Sequence, residues 1–275
     1  MFNSEDFFLC PTFCNFSYIH LMKRLFITGL ALCIGLLTFA QEAVDFRLTP
    51  EIGKPLNINM LLKTDVEGPQ DVIMDMNMKM EMTPASKEGE NYTIESAVRQ
   101  IKVDLNAGMM TLSYDSEVES TDPTAQMLGA EFSKLLNQKI TSVVTEKGKT
   151  VDISLPAEFS SQGFDPNSFA NMSPSFPDKA VTPGESWESI SEIPDHPLLS
   201  KVEMLSTYRE KNAEGYVIDV KGKVLDASGN EVGTIVGDYT LDQDTHYTKS
   251  SNLKTTIETQ GAKIVSEVEM NVIAE

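Results

Sequence analysis

Strict alternation of apolar and polar residues over positions 72–82 constrains the fold of this chain more than any other feature. Methionine occupies every second position from Met74 to Met82, and polar residues stand between the methionines. Successive side chains of a β-strand point to opposite faces, so a period of two indicates a long strand with one buried face.

The same pattern recurs along most of the chain. Further strands are predicted over 44–49, 56–64, 92–105, 109–115, 140–146, 150–155, 202–210, 216–225, 231–241, 247–258 and 263–273. Short Gly-, Asn- and Asp-rich turns separate them and require antiparallel neighbours. Long strands favour a curled sheet over a small sandwich, so we predict a mostly β (α+β) fold of about nine to eleven strands. The sheet is expected to be strongly curved or a half-barrel, with two stacked meander sheets as the alternative.

One segment switches to helical spacing. Asp122 and Pro123 are a typical N-cap and first helical residue, and apolar pairs then recur through Gln138. We predict one main amphipathic helix packed over the sheet.

The N-terminal region predicts export. Met22 to Gln41 has a basic start, a 15-residue apolar run from Leu25 to Phe39, and Ala40 at the cleavage position. This is the layout of a signal peptide, and the run is shorter than the roughly 20 residues of a transmembrane helix. Residues 1–21 are acidic and aromatic, which is atypical of the basic segment that begins a signal peptide. We therefore expect translation to begin at Met22. The mature protein is expected to be periplasmic or secreted after cleavage near Ala40.

Residues 41–275 are predicted to form a single β-rich domain. Two strand meanders, 41–155 and 186–275, flank a proline-rich connector over 156–185, with one helical turn expected near 165–172. No transmembrane segment is predicted in the mature chain. Trp187, the single tryptophan, is expected to anchor the connector to the sheet.

The net charge of the chain argues against polyanionic partners. The chain has 41 acidic residues against 22 Lys and Arg, a net charge of -19. Nucleic-acid binding needs clustered cations, and an anionic membrane surface would repel such a protein. The expected partner is an apolar small molecule or lipid, with no nucleic acid.

Catalytic motifs are absent from the mature sequence. It has no cysteine and two histidines, His196 and His246, and it lacks the Gly-x-Ser-x-Gly and His-Glu-x-x-His patterns. Its acidic turns do not follow the spacing of a twelve-residue calcium loop. We therefore predict no enzymatic activity, no cofactor and no catalytic or metal residues.

The methionine stripe is the one candidate site, and it has three interpretations. It can be a core face packed under the helix, an adaptable apolar groove for a lipid, or a thioether site for Cu(I). Neighbouring methionines of one strand lie too far apart to share an ion without adjacent strands, for which Met60, Met109 and Met110 are candidates. The predicted ligand-binding residues are Met74, Met76, Met78, Met80, Met82 and Met110.

Segment 139–187 carries a resemblance. A strand-turn-strand around Lys147-Gly148-Lys149 and a proline-rich stretch lead to Val181-Thr182-Pro183-Gly184-Glu185-Ser186-Trp187. This order resembles a family of secreted proteins of unknown function from Bacteroidota-type bacteria, with a V-x-x-G-[DE]-S-W turn. The architecture is similar to that of periplasmic lipoprotein carriers, whose curved sheet wraps an apolar cavity. We expect an exported, non-catalytic protein that binds an apolar ligand or lipid; a structural or assembly protein that docks an envelope partner, and Cu(I) binding, are the alternatives.

Overall fold

A computed structural model describes residues 43–69, 71–155, 175–193, 198–259 and 261–273. These residues belong to one compact unit, Ala43–Glu275. The predicted leader, the signal peptide, the helical turn near 165–172 and His196 lie outside the described residues.

Twelve antiparallel strands and one helix make up the described fold. The strands are β1 Leu56–Glu67, β2 Val72–Glu88, β3 Asn91–Ala107, β4 Met110–Asp115, β5 Ile140–Thr145, β6 Thr150–Ser154, β7 Ser186–Glu192, β8 Lys201–Lys211, β9 Tyr216–Leu225, β10 Glu231–Leu241, β11 Thr248–Thr259 and β12 Ala262–Ile273. The helix, α1, is Pro123–Phe132. The prediction of a mostly β protein with one open, curved sheet and a single helix is confirmed.

The sheet has an unusual strand order. It runs β6-β5-β3-β2-β1-β12-β11-β10-β9-β8-β7, and β4 pairs with the second half of β3. The first and last strands therefore pair in the centre, over eleven residue pairs. The chain reaches one edge of the sheet at β6, and it resumes after the connector at the opposite edge, β7.

Three local predictions differ from the structure. Segment 44–49 is not a strand, because only Val44 forms a bridge, with Val181. Strand β7 was not predicted. The helix ends at Phe132 rather than Gln138, and it packs against β4, where Gly129 admits the Tyr114 ring that stacks on Phe132.

Strand register gives the sheet one apolar and one polar face. Met76 lies between Leu62 of β1 and Val103 of β3, whereas the next residue, Asn77, has Lys102 as its neighbour on β3. We call the apolar side the inner face. A register shift in β3 beside Met80 leaves Val98 and Ile101 on this same face, three positions apart, and both are buried.

An aromatic cluster closes one end of the curved sheet. Phe46 is fully buried at its centre, with ring centroids of Trp187, Tyr208 and Tyr216 within 6.1 Å. The cluster also holds Tyr92, Ile94 and Val144 from the β3–β5 side and Ile218, Tyr239 and Leu241 from the β9–β10 side. Packing of these distant strands against one another requires the sheet to curl.

The connector joins this cluster where it is described. Trp187 Nε1 donates a hydrogen bond of 2.7 Å to the carbonyl of Ser175, and the Phe176 amide donates to the carbonyl of Lys147. Trp187 thus anchors the end of the connector to the sheet.

Candidate ligand cavity

A cavity of about 160 Å³ opens on the inner face next to the aromatic cluster. Neighbouring strands β6, β5, β3, β2, β1 and β12 and the start of β11 line it, together with Leu48, Gly148 and Tyr247. The walls are mainly aliphatic, and their aliphatic side chains are Leu48, Ile58, Ile94, Ile140, Val144 and Ile153.

Four methionines add a flexible surface to this cavity. They are Met60, Met80, Met82 and Met270. Thioether side chains are unbranched and polarisable, so they repack around ligands of different shape. The lining can therefore adapt to apolar ligands of different shapes.

The polar lining is sparse and uncharged. It consists of Ser96, Ser142, Thr150, Tyr247 and Thr248. None of the described residues that line the cavity carries a charge. An ionised group that entered it would lose hydration without gaining an ion pair there.

The predicted methionines divide between two environments. Met80 and Met82 line the cavity. Met74, Met76 and Met78 are partly buried and pack against a second apolar cluster that contains Ile101, Val103 and Leu135, and Met80 contacts this cluster as well. Met110 is 48% exposed at the start of β4 and does not line the cavity.

Strand pairing brings three methionines into one row. Met60 lies opposite Met78 on β2 and opposite Met270 on β12. Neighbouring strands are about 4.8 Å apart, closer than the second neighbours of one strand. Met60 therefore supplies the cross-strand neighbour that the sequence required for a thioether site. Met109, at 105% exposure, and Met110 are not in this row.

Tyr247 lines the cavity and is a candidate site residue that the sequence did not predict. Its hydroxyl is buried and has no hydrogen-bond partner among the described residues. Burial raises the pKa of Tyr247 well above its usual value, so the phenol stays protonated. An adjacent phenol, Tyr92, raises it further.

A tight turn fixes the position of Tyr247. The Asp242 carboxylate accepts hydrogen bonds from the Asp244 and Thr245 amides and from the Thr245 hydroxyl. His246 adopts a left-handed backbone with φ 53°, and its ring packs against Phe46 and Tyr216. The turn is thus held by the aromatic cluster, and Tyr247 follows it directly.

A second, polar cleft lies behind Tyr247. It measures about 450 Å³, and Tyr247 and Thr248 line both spaces. Its charged residues are Glu51, Lys54, Asp242, Asp244 and Lys249. Tyr247 therefore stands where the apolar cavity meets a charged surface.

Neither metal-ligand clusters nor spanning helices occur in the described part of the chain. No group of three His, Cys, Asp or Glu side chains is placed to hold a metal ion there. In the acidic turn at Asp226, one carboxylate oxygen caps the amides of Ser228 and Asn230. Among the same residues, every helix is too short or too polar to cross a membrane.

The curved sheet is similar to parts of solved structures. The chain is similar to part of lipovitellin, solved in a study of lipid–protein interactions, with a TM-score of 0.52 at 11% identity. The match covers 84% of this chain and 26% of that one, so the chain spans about a quarter of lipovitellin's length. Similarity at this identity shows a shared fold alone.

Two bacterial structures are more distant. A DUF1329 family protein from Desulfovibrio piger has a TM-score of 0.33 at 9% identity, covering 80% of this chain and 87% of that one. A domain assigned to outer membrane lipoprotein sorting in Vibrio parahaemolyticus has a TM-score of 0.27 at 9% identity, covering 79% and 83%. No family model and no curated protein sequence matches the chain.

Proposed function

We propose that this protein is an exported, non-catalytic module that holds an apolar ligand, a lipid or lipid-like molecule, against the methionine-lined inner face. The observation that carries the proposal is the cavity on the inner face of the curled sheet, whose described lining residues are uncharged and include Met60, Met80, Met82 and Met270. Ligand pockets are typically concave and mainly apolar, with a few placed polar groups.

Two further features support this function. Inner-face side chains away from the cavity, such as Met74, Leu62 and Leu253, remain half-buried and leave apolar surface beside it. Lipovitellin, described by its lipid–protein interactions, shares the fold. Membership of the secreted Bacteroidota-type family, cleavage near Ala40 and a periplasmic location stay part of the proposal.

A cavity-filling variant tests the proposal. Ser142 lies on the inner face of β5 and lines the cavity, whereas its neighbour Thr141 points to the opposite face. Ser142→Phe is expected to reduce the lipid that is extracted with the purified exported protein at least tenfold, because a phenyl ring takes most of a 160 Å³ space. Thr141→Phe is the matched control and should retain the lipid. Native and denaturing mass spectrometry measure the bound mass.

The same spectra separate the alternatives. A protein that carries no lipid, and that binds none from vesicles, would contradict the proposal and favour a structural protein that docks an envelope partner. Stoichiometric copper retained by wild type and lost in Met60→Leu would instead favour Cu(I) binding, for which the row of Met78, Met60 and Met270 provides the ligands.

A further inference from the structure

Beside the cavity, one buried hydrogen-bond donor has no acceptor among the described residues. Tyr247 lines the cavity, its hydroxyl is buried, and no described residue accepts a hydrogen bond from that hydroxyl. A buried polar group without a partner costs free energy, roughly that of a lost hydrogen bond. A ligand that supplies the acceptor would remove this cost.

The chemistry of the lining restricts what this acceptor can be. The phenol of Tyr247 remains protonated because burial raises its pKa, so it acts as a neutral donor. Among the described residues, no lysine or arginine lines the cavity to pair with an anion. A carboxylate or phosphate would therefore lose far more hydration free energy than one neutral hydrogen bond returns, whereas the smaller loss of a carbonyl or hydroxyl oxygen is offset by that bond.

We propose that the cavity selects apolar ligands that carry a neutral oxygen acceptor, such as an ester or amide carbonyl or a hydroxyl, and that this oxygen accepts a hydrogen bond from Tyr247. The inference rests on the proposed function and names the class of its ligand. Tyr247 acts as a specificity residue, since the aliphatic and thioether walls bind the apolar chain without regard to its oxygen. The fixed turn at Asp242 to His246 holds the donor in place before the ligand arrives.

Three probes of eight or nine carbons test the selection. Methyl octanoate, octanoate and nonane are titrated into the delipidated exported protein at pH 8, with binding measured by displacement of a fluorescent apolar probe. Wild type is expected to bind methyl octanoate at least tenfold tighter than octanoate. Tyr247→Phe should weaken methyl octanoate binding roughly threefold to tenfold, as loss of one neutral hydrogen bond predicts, and leave nonane binding unchanged.

Tyr239→Phe provides the matched control. Its hydroxyl is also buried, but it lies beside Ser206 in the aromatic cluster and does not line the cavity. This variant should bind all three probes as wild type does. Melting curves of both variants show whether they fold.

The outcomes separate this inference from the function on which it rests. Equal affinity of wild type for ester and carboxylate would overturn the selection while leaving apolar binding in place, and that comparison requires no variant to fold. An equal loss of affinity for methyl octanoate and for nonane in Tyr247→Phe would also overturn the proposed selection. Failure of wild type to bind any probe would overturn both.

Discussion

At the scale of single residues, glycines set how closely β10 lies against β11. A Cβ atom at Gly237 would stand 2.0 Å from the carbonyl oxygen of Asn252, and one at Gly233 would stand 2.5 Å from that of Thr256. Both contacts are with backbone atoms, which cannot move aside without breaking the strand pairing. Glycine in a strand interior commonly marks such close approach or a tight bend.

Gly237→Ala is therefore expected to destabilise the protein by about 2–4 kcal/mol, the range of disruptive core substitutions. Gly68→Ala is the control, because the nearest atom to its Cβ would be the Ala262 Cβ at 3.4 Å, an ordinary van der Waals contact, and it should cost less than about 0.5 kcal/mol. Urea unfolding measures both. Equal stability of the two variants would show that β10 can relax away from β11.

The candidate site was only partly predictable from these residues. Alternation alone places Met80 and Met82 on the inner face, since it needs no knowledge of the partner strand. Met270 and Tyr247 join them through the pairing of β1 with β12 and through a turn held by Phe46. Those contacts join positions about 200 residues apart, so no local sequence pattern predicts them.

At the scale of elements, the segment before β1 is held by ion pairs as well as by Phe46. Asp45 lies 2.6 Å from Lys147, and Arg47 lies 3.2 Å from Glu146, which also pairs with Lys87 at 2.5 Å. The hydrogen bond from Lys87, and a weaker one from Arg47, lower the pKa of Glu146 despite partial burial. Lys147 and then Arg47 lower the pKa of Asp45.

These shifts predict a dependence of stability on pH. The pKa of Glu146 is depressed below its ordinary value of 4.5, so its contribution is present above about pH 4.5 and is lost as the pH falls through the folded value. Glu146→Gln should lower the urea midpoint at pH 7, and its difference from wild type should shrink steadily from pH 5 to pH 2. A difference that stays constant over this range would show that the carboxylate charge contributes nothing.

Strand β7 shows why one element escaped prediction. Its inner-face positions after Trp187 are Ser189 and Ser191, and its outer face carries Ile190, which is 61% exposed. The apolar alternation is therefore inverted at this edge of the sheet. The segment becomes a strand because β8 offers it seven paired residues, which is a tertiary effect that overrides local preference.

At the scale of the whole molecule, the central strands of the described sheet pair on both sides and its end strands on one side. Strands β1 and β12 each pair on both sides, whereas β6 and β7 pair on one side only within the described sheet. Amides in centrally paired strands open only with the larger unit, and those in edge strands open locally.

Hydrogen exchange followed by mass spectrometry should therefore show the slowest exchange in peptides from β1 and β12 and the fastest among strands in β6. Peptides from β4, which pairs only with β3, provide an internal comparison of similar strand length. Exchange in β6 as slow as in β12 would contradict this order and indicate that the β6 edge is covered.

The strand order also determines when each pair of strands can form during synthesis. Each hairpin can form as soon as its two strands exist, but the central seam joins Asn57 to Ile273 and has to wait for the last strand made. Pairing of positions so far apart is slow, because closing the long intervening loop costs conformational entropy before the contacts form. A chain threaded through a translocon, as its N-terminal segment predicts, would arrive with that seam still open and close it only after the final strand emerged.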